Sequence, residues 1–251
     1  RALATMPATN PPAPPATPGV SRLALDSAKK SISYGGQVWL DAGAGGHLLL
    51  TDAAGQAFAA QVESLQAASG PLVTRAVAKG HFVRNGRPGW AFELDLEASP
   101  TTGTLRVVHT WIVDGPELTT QSPWSIVRSL TWRLPVKGPV RALGGDQATP
   151  VRGVATLRQI VDDAYALTAD GTVSPGRRAL GWAAWDGGCL AVRDFWQHYP
   201  KALAADAGGL RLDLLPALDG FDYQQRPDPV YQLYYYLRNG VYQLKQGCSK
   251  R

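Results

Sequence analysis

Between about residue 20 and residue 215, apolar and polar side chains alternate with a period of two, and turn-forming residues break the alternation repeatedly. In Thr104–Val113, the residues Leu105, Val107, His109, Trp111 and Val113 fall on one face. In Gly89–Glu97, Phe92, Leu94 and Leu96 point one way, while Glu93, Asp95 and Glu97 point the other. Comparable strands are predicted at Leu48–Thr51, Leu72–Val83, Arg128–Pro135, Val154–Ile160 and Leu210–Leu214. The breaks carry Ala53-Ala54-Gly55, Arg84-Asn85-Gly86-Arg87, Asp170-Gly171 and Asp186-Gly187-Gly188. Asn-Gly and Asp-Gly supply the positive φ that a tight hairpin turn requires. Strands apolar on one side only must cover that side with a second sheet. The pattern therefore predicts a mostly β fold, a large antiparallel β-sandwich over residues 20–220.

Both flanks break the pattern. Residues 7–18, PATNPPAPPATP, carry six prolines. Proline lacks the amide hydrogen and fixes φ, so residues 1–19 read as an extended Pro-rich linker, with a further domain expected upstream. After Pro216 the period changes. Asp228-Pro229 has the chemistry of a helix cap and first turn. Val230, Leu233, Leu237, Val241 and Leu244 then recur at spacings of three and four, widened by Tyr231, Tyr234, Tyr235 and Tyr242. Asn239-Gly240 weakens the middle of that run. Residues 221–251 are accordingly predicted to be the first helix of a truncated α-helical domain.

Composition narrows the function classes. An apolar content of 45% with 18% charged residues supplies a core and excludes global disorder. The net charge of +5 comes from basic residues scattered along the chain, which argues against a nucleic-acid groove and suits an acidic polysaccharide or oligosaccharide. No apolar run is long enough for a membrane-spanning helix. Cys189 and Cys248 fit no metal spacing, and two isolated buried thiols are expected, with a disulfide left open because its geometry is not visible in a sequence. His47, His81, His109 and His198 lie far apart, so neither a metal nor another cofactor is expected. His109, alternating with apolar residues, reads as a core histidine with its hydrogen bonds satisfied. The glycine run at 43–46 lacks a following helical pattern and reads as a turn, and no nucleophile elbow or phosphate loop is present.

The densest chemistry lies in GWAAWDGGCLAVRDFWQHYPK, residues 181–201. Sugars rest on aromatic rings through their CH faces, and charged side chains fix carboxylates through charge-assisted hydrogen bonds. Arg193, His198 and Lys201 could hold a uronate in this way. Equally, Phe195 and Trp196 could plug one end of the sandwich, with Arg193 and Lys201 solvated along their stems. Lys245, Lys250 and Arg251 suit the last turn of a helix electrostatically and need no functional account on that reading.

Residues 181–201, with GGLRLDLLP at 208–216 and YYYLRNGVYQLKQGCSKR at the end, resemble the exo-acting rhamnogalacturonan lyases and their YetA-like bacterial relatives. That family carries an AVRDFWQxYPK stretch followed by GLxxxLxP. Upstream, SGPLVTRAVAKGHFV at 69–83 and LRVVHTWIVDG at 105–115 resemble two of its sandwich strands more weakly. The resemblance implies a small N-terminal barrel, a central β-sandwich and a C-terminal α/α barrel, of which this chain would hold the sandwich and the opening of the last. The family's WPDGS-type segment is absent, and so is the histidine and glutamate continuation of its helical domain. The implied function is a secreted or periplasmic polysaccharide lyase that cleaves a uronate-containing pectic glycan, with Arg193, His198 and Lys201 as substrate contacts, the catalytic residues unassigned and the neighbouring domains of the parent chain as partners. On this expectation the chain alone holds one wall of the site. The alternatives are a non-catalytic module that binds glycan or braces its neighbours, and part of a glycoside hydrolase.

Overall fold

The computed structural model describes residues 23–41, 47–114, 124–134, 136–218 and 240–250, and the regular structure among them is all β. Strands β1 (Leu23–Asp26), β2 (Ser31–Tyr34) and β3 (Gln37–Asp41) form a small antiparallel sheet. A long meander follows: β4 (Leu48–Asp52), β5 (Ala57–Ser69), β6 (Thr74–Arg84), β7 (Arg87–Ser99), β8 (Thr104–Ile112) and β9 (Trp124–Leu134). Then come β10 (Val140–Gly144), β11 (Ala148–Pro150), β12 (Ala155–Val161), β13 (Ala164–Ala169) and β14 (Thr172–Gly176). The last are β15 (Trp182–Trp185), β16 (Gly188–Ala191), β17 (Lys201–Asp206), β18 (Gly209–Leu215), β19 (Tyr242–Lys245) and β20 (Ser249–Lys250).

Thirteen strands join one antiparallel sheet, in the order β14-β13-β12-β17-β18-β9-β4-β5-β6-β7-β8-β20, with β19 also paired to β9. Strands β11-β10-β15-β16 form a separate sheet. The architecture is sandwich-like, as the alternation predicts. Along β7 the inward residues Phe92, Leu94 and Leu96 are essentially inaccessible, while Glu93, Asp95 and Glu97 face outward. Those carboxylates pair across strands, Asp95 with Arg75 at 2.6 Å, Glu93 with Lys79 at 2.8 Å and Glu97 with Arg106 at 3.0 Å. Exposed pairs of this kind set register more than they add stability. The Asn85-Gly86 turn has φ of 50° and 76°, and Asp170-Gly171 has 50° and 81°, the left-handed conformations their sequences announce.

Buried polar atoms tie the layers together. The Trp90 indole donates to Ser125 Oγ at 2.8 Å, and the Trp132 indole donates to the Trp39 carbonyl at 2.9 Å, fastening the small sheet to β9. Gln159 donates to the carbonyls of Val161 (2.6 Å) and Arg177 (3.0 Å) and accepts from the Ala179 amide (2.9 Å), so its buried amide is fully used.

Two sequence expectations need correction. The end of the chain is not helical where it is described: Tyr242–Lys245 pairs with Trp124–Val127 of β9, and Ser249–Lys250 pairs with Trp111–Ile112 of β8. The physical reason lies in Gly240 and Gly247, at φ of 70° and 85°, which interrupt any right-handed helix. Tyr242 and Leu244, two apart, also serve a strand, with Tyr242 buried. The first part of the predicted helix, with Val230, Leu233 and Leu237, lies outside the described residues, as do the Pro-rich segment and residues 43–46. The cysteines are free as expected, yet both are exposed: Cys189 sits in β16 and Cys248 in the turn between β19 and β20.

Gly80 marks the closest approach of two strands. It faces Val62 where β5 carries a bulge, and a Cβ there would lie 1.9 Å from the Gln61 carbonyl oxygen. Gly80→Ala is expected to lower the unfolding free energy by about 2–4 kcal/mol in urea denaturation. Gly86→Ala, where a Cβ meets nothing within 4 Å and only φ is strained, should lose about 1–2 kcal/mol. Equal losses would contradict the close contact.

Candidate anion site

The inward face of β8 carries His109 between Val107 and Trp111. Its ring lies among aromatics, with centroids 6.5 Å from Phe92, 6.1 Å from Trp111 and 6.1 Å from Trp132. The residue as a whole keeps partial exposure, but both ring nitrogens are shut off from solvent and neither has a hydrogen-bond partner. His109 is thus a core histidine without its hydrogen bonds, where the sequence suggests a satisfied one. Burial, followed by the charge of Lys201, pushes its pKa down to about 3.

Lys201 opens β17 on the same side of the strand as Leu203 and Ala205, both in the core. It is 5% exposed, not solvated. Its ammonium reaches only the Leu214 carbonyl, at a long 3.4 Å, and forms no ion pair among the described residues. Gln159 stands directly opposite on β12, but its amide is already committed. Asp213 on β18 is a buried carboxylate, yet it pairs in register with Ala202 and so projects from the other face. There it accepts from Thr131 at 3.0 Å and pairs with Arg211 at 3.1 Å. Burial, reinforced by Lys250, lowers the Lys201 pKa to about 7.

Lys250 reaches this region because β20 pairs with β8 beside Trp111. Lys250 is an exposed residue whose register partner is Trp111, so it shares the face of β8 that carries His109, and burial lowers its pKa. His198 closes the group. It ends a turn in which its amide donates to the Asp194 carbonyl at 3.0 Å. Burial and then Lys250 and Lys201 hold its pKa below the usual imidazole value, against an opposing pull from Asp194. Four basic side chains from β8, β17, β20 and the turn after β16 therefore bear on one another, with one carboxylate among the described residues acting on them, Asp194 at the exposed edge.

Of the three predicted contacts, the structure brings His198 and Lys201 together and leaves Arg193 apart. The Arg193 side chain is 88% exposed and pairs with Asp194 at 3.3 Å. Phe195 is buried against Gly181, where a Cβ would lie 2.1 Å from the Phe195 ring, so it plugs the fold. Trp196 is half-buried, with the Arg178 guanidinium 4.4 Å above its ring. Sequence reasoning missed His109 and Lys250. The first had one signal, an imidazole on the aromatic inward face of a strand; the second was masked by the helical reading of the chain end. Among the described residues no group of three His, Cys, Asp or Glu side chains is placed to hold a metal.

No protein-family model matches the chain, and no curated protein aligns with it significantly.

The electrostatics predict a pH signature. Unfolded, Lys201 holds its proton up to its ordinary value of 10.5; folded, it holds it only to about 7. Between these values the unfolded chain binds more protons, so stability rises with pH across that window and the burial penalty is complete below it. Lys201→Met should therefore stabilise the fold by about 1–4 kcal/mol below pH 7, with the gain fading toward pH 10.5. Arg193→Ala should change stability by no more than about 0.5 kcal/mol. Urea denaturation of both variants across this range checks the assignment, and a destabilised Lys201→Met would refute it.

Proposed function

We propose that the chain belongs to a polysaccharide lyase that cleaves a uronate-containing pectic glycan, rhamnogalacturonan, by β-elimination outside the cytoplasm. One observation carries the reading: Lys201 is a buried amine with no carboxylate partner among the described residues, beside His198 and Lys250. A protein that needed this lysine only for packing would do better with methionine, so the missing counter-ion belongs to something that binds. The likeness of Ala191–Lys201 and Gly208–Pro216 to the exo-rhamnogalacturonan lyases supports a sugar acid as that partner.

β-Elimination makes three demands. Cations must neutralise the uronate carboxylate, which acidifies the neighbouring C5 proton; a base must take that proton; and an acid must assist the departing oxygen. The cluster meets the first demand. His198 and Lys250, both exposed as residues, meet the sugar, while Lys201 lies behind them.

The test is to incubate the protein, at its full natural length, with rhamnogalacturonan and follow the ultraviolet-absorbing unsaturated product. His198→Ala and Lys250→Ala should each lower kcat/KM by about 10- to 100-fold, the worth of one charge-assisted hydrogen bond. A folded sample that releases no unsaturated product from any uronate polymer would sink the lyase reading.

A further inference from the structure

Several buried side-chain polar atoms lack hydrogen-bond partners among the described residues, and those of His109 lie near the poorly matched amine of Lys201. The Lys201 ammonium has one distant carbonyl, and the His109 imidazole has nothing. Leaving either group unmatched in the interior is costly, so their coincidence beside two further basic side chains is not explained by folding alone. The described elements around Lys201 supply no counter-ion. On β12 the Gln159 amide is spent on Val161, Arg177 and Ala179; on β18 Asp213 faces away; on β8 and β20 stand His109 and Lys250; in the preceding turn stand His198 and, exposed, Asp194. The group that would complete this arrangement is a single anion.

We propose that the cluster receives one carboxylate, that of a single uronate residue, and that each binding event draws one proton onto Lys201. The proposal rests on the reading of this site as a uronate receptor and deepens it. Without ligand, burial and the mutual repulsion of like charges favour the neutral amine. A carboxylate entering past His198 and Lys250 supplies the missing opposite charge, and the amine then takes a proton from solvent to form the charge-assisted pair. His109 stays neutral and offers one ring nitrogen as a hydrogen-bond donor and the other as an acceptor. The site thus reads the charge of the sugar, and a neutral hexose gives it nothing to hold.

Isothermal titration calorimetry of the full chain tests this with D-galacturonate as probe and D-galactose as control, at about pH 8, in two buffers of different ionisation enthalpy. Galacturonate should bind, with heats that differ between the buffers by the enthalpy of about one proton. Galactose should give no saturable heat. Lys201→Met, expected to fold at least as stably as the natural chain, should bind galacturonate about tenfold more weakly or worse and show no buffer dependence. Absence of galacturonate binding, equal heats in both buffers, or proton uptake that survives Lys201→Met would each overturn the proposal. The two readings fail separately. Lyase turnover with proton-independent galacturonate binding rejects only this inference, whereas proton-coupled binding without unsaturated product from any polymer rejects only the lyase.

Discussion

An interior strand has amides and carbonyls on both edges, and each must find a partner because water cannot reach it. β9, at 11 residues, poses this requirement in its strictest form. One edge is filled by β4. The other is divided, with β18 along Leu130–Leu134 and β19 along Trp124–Val127. Leu130 and Val127 each have a partner on both sides, Leu50 and Leu215 for the first and Asp52 and Tyr242 for the second. Through β9 the meander β4–β8, the later strands β12–β14, β17 and β18, and the end of the chain become one sheet. Its side chains do the same across layers, since Trp132 reaches Trp39 with its indole nitrogen and His109 with its ring.

The same strand explains which parts of the fold are legible in the sequence. β7 alternates cleanly, because one face is core and the other is turned outward, and the tight turns at Asn85-Gly86 and Asp170-Gly171 announce themselves. β17 does not alternate. Ala202 to Ala205 is buried on both faces, so KALAAD offers no period to read. At the chain end two periods compete, since Val241 and Leu244 fit a helix while Tyr242 and Leu244 fit a strand. The competition is decided by Gly240 and Gly247, which interrupt the helix, together with the edges of β9 and β8, which no local pattern encodes. His198 and Lys201 stood out because aromatic and charged residues crowd one short segment. Lys250 became part of the site only through pairing with a strand remote in sequence.

The cluster also shows burial and charge pulling in opposite directions. Burial at the start of β17, on the same face as Leu203, places Lys201 where an ammonium is disfavoured, and Lys250 adds to the penalty. Such a position is the common signature of a site shaped for something other than stability, where a local rule is broken without compensation inside the chain. The salt-bridged outer face of β6–β8 is the contrast, with every carboxylate there answered by a base on the next strand.

The turn between β19 and β20 gives the molecule a kinetic property. The Val113 amide donates to the Cys248 carbonyl, and the Gly247 amide donates back to the Val113 carbonyl, so the turn between β19 and β20 carries the chain from the edge of β9 to the edge of β8. The pairing of β20 with β8 joins segments far apart in the chain, the slow class of event in β-sheet folding. Until it happens β8 presents an unpaired edge, and edges are where sheets add foreign strands. Since Lys250 arrives with that same segment, the step that covers the Trp111–Ile112 end of the β8 edge is also the step that brings Lys250 to the basic cluster.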